Sequence, residues 1–213
     1  MDSISQREEM VRVQLADRGI RDRRMLDAMR IVPRHEFVPG TFRQDAYGDH
    51  PLPIGEEQTI SQPYIVAAML AHLALQCSDR VLEVGTGSGY VTALLSLLCS
   101  EVYSVERHAP LAALAEITLH RLNYRNVRIR VGDGRQGWAE CAPFDAILVS
   151  AATAEMPPAL FEQLREGGRM IAPVGPSSSQ ELQLILKVIG RAEVTVLEGC
   201  RFVPLVEGAV DGE

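Results

Sequence analysis

The sequence predicts an α/β protein: a doubly wound, mostly parallel sheet with an antiparallel hairpin at one edge and a cap of helices and loop at the N-terminal end. Three observations carry this. From Asp79 onward, short runs rich in Val, Ile and Leu alternate with segments of helical spacing, the rhythm of parallel strands joined by crossover helices. The last two strand candidates are separated by little more than Gly190, too short a link for a crossover and right for a hairpin. The chain's 213 residues, 46% apolar and 23% charged, suffice for a core without disulfide or metal staples.

Residues 5–31 place Val11 with Leu15, and Leu26 with Met29, at helical spacing around Gly19, which predicts two short helices. From Pro33 to Pro63, five prolines together with Gly40, Gly48 and Gly55 leave little room for regular structure, and a loop of that length is usually functional. Gln62 to Leu75 reads as a helix, with Ser61 as a candidate cap and Pro63 in its first turn. Strands then follow at Val81–Val84, Val102–Val105, Val127–Val131, Ala146–Val149 and Met170–Val174, with helices at Tyr90–Leu98, Pro110–Leu122 and Ala159–Leu164 between them. Leu182–Ile189 and Val194–Leu197 form the edge hairpin. Residues 1–78 are thus expected as a cap on a core of residues 79–213, within one compact domain, and the polar tail beyond Leu205 is expected to fray.

Composition excludes several classes. Net charge is −7, and the 21 basic residues, twenty Arg and Lys187, are scattered, so no basic face for duplex nucleic acid is expected. Apolar stretches are broken well before the ~18 residues of a membrane span. Cys77, Cys99, Cys141 and Cys200 have no paired short spacing, which fits a reducing cytoplasm and argues against a zinc or redox site. No basic segment leads into an apolar one near Met1, so no targeting leader is expected.

The strongest local feature is Glu83-Val84-Gly85-Thr86-Gly87-Ser88-Gly89, which follows a buried strand and opens a helix. Glycines let the backbone approach a ligand, and the helix N-terminus beyond offers free N–H groups. A nucleotide-like cofactor is therefore expected across this turn, at the carboxyl ends of the strands. The spacing Gly-x-Gly-x-Gly differs from the dinucleotide form, and Glu83 points to a ligand with a cationic end. Glu106 ends the second strand, where a carboxylate can accept both hydroxyls of a ribose; a solvated charge is the plainer alternative. Asp133, between Gly132 and Gly134, is a candidate to meet an adenine edge, although Asp beside Gly is also ordinary Asx-turn chemistry.

Together these residues resemble the class I S-adenosylmethionine-dependent methyltransferases, with their Rossmann-like sheet. Leu52 to Gly55 and Gln58 to Tyr64, then Val81 to Tyr90, Gly132 to Trp138, Phe144 to Val149, Gly167 to Gly175 and Arg201 to Leu205, are similar to the protein-L-isoaspartate O-methyltransferase family, in the family's order and over nearly the whole chain. The resemblance implies S-adenosyl-L-methionine as donor and S-adenosyl-L-homocysteine as product, with Glu83, Gly85, Thr86, Gly87, Ser88, Gly89, Glu106, Asp133 and Gly134 around the cofactor. It implies Ser61 as the active-site residue, Thr59 and Ile60 lining the same site, and Val203, Pro204 and Leu205 returning beside it. From the residues alone, Ser61 reads sooner as a helix cap than as an active-site residue, and the 203–205 segment equally suits a core strand. The family usually has Gly where this chain has Glu57, so a position suited to positive φ is filled by a residue that resists it, and either the loop relaxes locally or the substrate entrance is more acidic than usual.

The implied substrates are damaged proteins and peptides carrying L-isoaspartyl residues, whose free α-carboxylate accepts the methyl. With a reference pKa near ~3.5, that group is ionised at neutral pH and needs no general base. This agrees with His35, His50, His72, His108 and His120 forming no cluster. The ester would then lose methanol to the next backbone nitrogen, giving a succinimide that opens partly to normal aspartate. A cytoplasmic monomer with no nucleic-acid, membrane or metal partner is expected. Three other readings stay open: a methyltransferase for another carboxylate, favoured by extra sequence beyond the core; a nicotinamide-dependent oxidoreductase, which the glycine spacing disfavours; and a non-catalytic nucleotide-binding module, which Ser61 and Thr59 disfavour.

Overall fold

The computed structural model describes residues 2–209. Helix α1 (Ser3–Glu9) starts where the Asp2 side chain accepts from the Ser5 N–H at 2.7 Å, and continues as a π-helical stretch, Met10–Ala16, that buries Met10, Val11 and Leu15. Helix α2 (Arg23–Ile31), capped by Asp22, buries Met25, Leu26, Ala28 and Met29. Two short helices were expected here; the first is longer and changes from α to π winding at Met10.

The stretch read as loop contains a hairpin. β1 (Leu52–Gly55) and β2 (Gln58–Ile60) pair antiparallel, with Leu52, Ile54 and Ile60 buried. Its turn places Glu56 at φ +51° and Glu57 at φ +56°, so the strain expected at Glu57 is present and extends to its neighbour. An L-residue in this region costs about 1–2 kcal/mol, partly offset in glycine by its larger unfolded-state entropy. Replacing Glu57 by Gly is expected to stabilise the fold by up to about 1 kcal/mol, read as a raised midpoint in thermal melts. A lowered midpoint would mean that the Glu57 side chain itself secures the turn.

Helix α3 (Pro63–Leu73) begins one residue later than expected, with Gln62 at the cap position and Pro63 in its first turn. Ser61 therefore precedes the cap. The main sheet holds β3 (Arg80–Val84), β4 (Glu101–Glu106), β5 (Val127–Val131), β6 (Phe144–Val149), β7 (Leu164–Val174), β8 (Gln180–Val188) and β9 (Arg191–Cys200), in the order β5-β4-β3-β6-β7-β8-β9. β3 to β7 run parallel, and β8 and β9 form the expected antiparallel edge. Helices α4 (Tyr90–Leu98), α5 (Ala109–Arg121) and α6 (Pro158–Gln163) complete the crossovers. β7 starts six residues earlier than its apolar run, because an irregularity in its pairing with β6 absorbs the polar segment containing Gly167 and Gly168.

Alternation along the strands sorts the side chains into two cores. Val81, Val102, Ala146, Leu148 and Ile171 join the apolar residues of α2, α3, α4 and α5 in one, while Leu82, Val84, Tyr103, Val105, Ile147 and Val149 pack with Leu160, Leu164 and Trp138 in the other. The first core continues through Leu52, Ile54 and Ile60 of the hairpin. The second face is covered mainly by α6, which lies within one residue of the expected Ala159–Leu164, and by single turns at Gly134–Gln136 and Ala139–Cys141. No helix among the described residues is long and apolar enough to cross a membrane. Residues 206–209 form no helix or strand, and the fraying expected of positions 210–213 lies outside the described residues.

Candidate active site

Strand order reverses between β3 and β6, and a cleft of about 330 Å³ opens outside their carboxyl ends, where ligands gather in open α/β sheets. The glycine turn after β3 lines it. The end of β3 is gripped from both sides: the Gly85 N–H donates to the Val105 carbonyl at 2.8 Å, and the Ser150 N–H donates to the Val84 carbonyl at 2.8 Å. Gly85 and Gly87 hold φ of +94° and +54°, and Thr86 and Ser88 beside them also line the cleft. Gly134 is required for space rather than for φ, since a Cβ there would lie 2.5 Å from Val84 Cγ1.

Glu106 lies in the cleft wall, 4% exposed, with both oxygens at work. Oε2 accepts from the Gly87 N–H at 2.7 Å and Oε1 from the His108 N–H at 3.0 Å. It braces the glycine turn, and each oxygen keeps a second lone pair.

Three predicted cofactor residues are placed differently. Glu83 lies behind the turn, not beside the cleft: it is 0% exposed on β3, and Oε2 accepts from the hydroxyls of Thr92 at 2.6 Å and Ser104 at 2.7 Å. The Ser104 hydroxyl in turn contacts that of Thr86 at 2.6 Å, so a buried hydroxyl chain links Glu83 to the turn. Its Oε1 is buried with no partner among the described residues. Burial pushes the Glu83 carboxyl up to about 8 against the pull of the Thr92 and Ser104 hydrogen bonds, and the charge of Glu106 adds to the rise. A neutral acid there does not serve a cationic ligand. Gly89, at the cap of α4, is not among the residues lining the cleft, and a Cβ there would lie 3.2 Å from Ala115 Cβ and 3.3 Å from Leu119 Cδ1 of α5, so it serves helix packing. The Asp133 side chain accepts from the Arg135 N–H at 2.9 Å, the Asx-turn alternative, and Asp133 is not among the residues that line the cleft.

The predicted substrate residues converge. Thr59, Ile60 and Ser61 leave β2 along the cleft, and Val203, Pro204 and Leu205 line its other side. Ala152 holds that last segment in a parallel bridge: its N–H donates to the Val203 carbonyl at 2.7 Å, and its carbonyl accepts from the Leu205 N–H at 2.6 Å. Fewer backbone groups therefore remain for a peptide than the sequence implied, chiefly the Pro204 carbonyl on the opposite edge. A second groove, about 610 Å³ and lined in part by Arg18, Tyr64, Cys200 and Phe202, meets the first at Thr59, Ser61, Ser150 and Val203.

Sequence reading missed Ser150, Arg107 and His108, all of which line the cleft. Each follows the carboxyl end of a central strand, and that position is the signal that was available. His108 Nδ1 lies 3.7 Å from Glu56 Oε2, across from the hairpin turn.

The chain matches the family model for protein-L-isoaspartate(D-aspartate) O-methyltransferase over residues 5–210. It belongs to the protein-L-isoaspartate O-methyltransferase family. The protein-L-isoaspartate O-methyltransferase of Koribacter versatilis is 55% identical over 200 residues, covering 94% of this chain and 90% of the relative. That of Opitutus terrae is 55% identical over 201 residues, covering 94% and 86%. A solved protein-L-isoaspartate O-methyltransferase superposes with a TM-score of 0.85 at 32% identity, over 93% of this chain and 65% of that one. A Plasmodium falciparum structure described as such an enzyme in complex with S-adenosyl-L-homocysteine gives 0.83 at 28% identity, over 97% and 99%. The fold is thus the Rossmann-like methyltransferase sheet. The activity is methyl transfer from S-adenosylmethionine to L-isoaspartyl residues, the start of their repair. The residues present suit that donor: a glycine turn at positive φ, a cradle at Gly134 that a Cβ would fill, and the Glu106 carboxylate with unused lone pairs.

Proposed function

We propose that Ser61 orients the α-carboxylate of the isoaspartyl residue for attack on the donor's methyl, with Glu106 and the turn Gly85–Ser88 holding the adenosyl end. One observation supports this above others: the cofactor cleft and the second groove meet at Ser61, Thr59, Ser150 and Val203. A peptide lying in the groove brings its carboxylate to that junction. S-adenosylmethionine, when bound, supplies a methyl on a sulfonium, a carbon electrophile that needs no acid or metal. The protein's role is alignment and exclusion of water. Ser61 donates one hydrogen bond to the carboxylate, and its hydroxyl forms no covalent intermediate. Thr59 and Ile60 form the wall beside it, and Val203 to Leu205 the opposite one.

The partners are damaged proteins and peptides that present the isoaspartyl site on a flexible segment, since only an extended chain fits a groove of this kind. A cytoplasmic monomer is the working form. Four cysteines, unpaired among the described residues, support the reducing compartment.

Paired assays on isoaspartyl and aspartyl versions of one peptide test the assignment. Methylation of the isoaspartyl form alone is expected, because an extra backbone methylene moves the carboxylate, and ~1 Å of misplacement costs on the order of a hundredfold in rate. Ser61→Ala is expected to lower turnover about 10- to 100-fold, the loss of one hydrogen bond to a charged group, with cofactor affinity near wild type. Equal methylation of both isomers would overturn the substrate assignment, and an unchanged rate in Ser61→Ala would remove Ser61 from the mechanism.

A further inference from the structure

Arg34 is fully buried, and among the described residues no carboxylate pairs with it. A guanidinium without an ion partner is costly in an interior unless its donors find acceptors. Two do. Nε donates to the Ala46 carbonyl at 2.7 Å, and Nη2 donates to the Ser61 carbonyl at 2.8 Å. The guanidinium carbon lies 4.9 Å from the centre of the Tyr90 ring, which borders the cofactor cleft, and Nη1 is buried with no partner among the described residues. Burial draws this group below the ordinary arginine value, while Tyr90, Tyr47 and Asp49 work in the opposite direction.

We propose that Arg34 is a positioning residue that aims the Ser61 hydroxyl by clamping the Ser61 carbonyl. The inference rests on the reading of Ser61 given above. Ser61 sits in a two-residue link between Ile60, which is paired with Leu52 in the hairpin, and Pro63, which opens α3. Gln62 is tied through its Nε2 to the Asp49 carbonyl at 3.1 Å. The peptide plane between Ser61 and Gln62 is the remaining freedom in that link, and Nη2 of Arg34 restrains it. The backbone dihedrals of Ser61 decide which rotamers its hydroxyl can adopt. By holding Ala46 as well, the same guanidinium makes the preceding loop and this link move together. An apolar side chain would fill the space but leave both carbonyls without a donor.

A double-mutant cycle decides the matter. Turnover on an isoaspartyl peptide, KM for that peptide and S-adenosylhomocysteine affinity are measured for wild type, Arg34→Lys, Ser61→Ala and the combination. Lysine keeps the buried charge but lacks the fork that reaches both carbonyls. Arg34→Lys is expected to lower kcat about tenfold with cofactor affinity within about twofold of wild type, and to cost less than about twofold once Ser61 is already Ala. Arg34→Gln, carried in parallel, decides if the lysine variant does not fold. Losses that multiply in the combined variant, an unchanged kcat, a fall in cofactor affinity equal to that in kcat, or failure of both variants to fold would each overturn the role of Arg34. If Ser61→Ala alone leaves turnover unchanged, the Ser61 reading fails and takes this one with it; multiplicative losses beside a slow Ser61→Ala overturn the Arg34 role alone.

Discussion

Replacing Glu106 by alanine is expected to weaken S-adenosylmethionine binding by at least about a hundredfold while leaving the sheet folded. The carboxylate accepts the backbone N–H groups of Gly87 and His108, so it fixes the shape of the glycine turn before any ligand arrives. On the placement proposed for the adenosyl end, the lone pairs that remain accept two ribose hydroxyls, each charge-assisted bond worth about 1.5–3 kcal/mol. Alanine removes both functions together. Glutamine is not a mild substitute, because its amide N–H₂ would meet one of those backbone N–H donors. Calorimetric titration with S-adenosylhomocysteine reads the loss, and a thermal melt of the same variant checks the fold. Unchanged affinity in a folded Glu106→Ala would reduce Glu106 to a brace for the turn and displace the adenosyl group from this wall.

The regions of the molecule legible in the sequence are those fixed by strong local patterns. The runs at Val81–Val84 and Val127–Val131 and the helix Tyr90–Leu98 fall where apolar runs and helical spacing put them; the first and last are buried in the core, whereas Val127–Val131 lies at the edge of the sheet and is held there by its pairing with β4. The hairpin at Leu52–Ile60 was hidden by its shortness, by Pro53 within β1 and by a turn of two glutamates where Asn or Gly is usual. Tertiary burial of Leu52, Ile54 and Ile60 holds it, and local propensity does not report that. Within the site, the glycine turn and Glu106 were readable because position after a strand determines exposure. Glu83 was readable too, had the period of two been applied: it shares a face with Val81, beneath α4, and therefore turns away from the cleft. Arg34 had no such signal. A lone arginine in a Pro-rich stretch reads as a surface charge, and only the assembled fold shows that the Ser61 carbonyl is its partner.

Glu83 gives the second large effect, which is one of pH. In the unfolded chain its carboxyl titrates near the ordinary 4.5, whereas in the fold it keeps its proton up to about 8. Below about 4.5 both states are protonated and the contribution of this group to stability is fully present. Above that the unfolded chain releases a proton that the native one retains, so stability falls as pH rises and levels off only beyond about 8. At about 1.4 kcal/mol per pH unit, that interval amounts to a loss on the order of 5 kcal/mol from a group with no solvent to screen it. The lever acts close to the cofactor, since ionising Glu83 strengthens its hold on Ser104 and sets two carboxylates, Glu83 and Glu106, against each other across the turn. Glu83→Gln cannot titrate, and its carbonyl can still accept from Thr92 and Ser104, although its amide donors lack a buried partner. Denaturant unfolding between pH 5 and 9 is therefore expected to show the wild type losing stability relative to Glu83→Gln as pH rises, with the offset at acid pH set by the orphaned amide. The slope, not the offset, carries the claim. Parallel curves over that range would mean that Glu83 is ionised in the native state at neutral pH and that the chain of hydroxyls from Thr92 to Thr86 carries a buried charge.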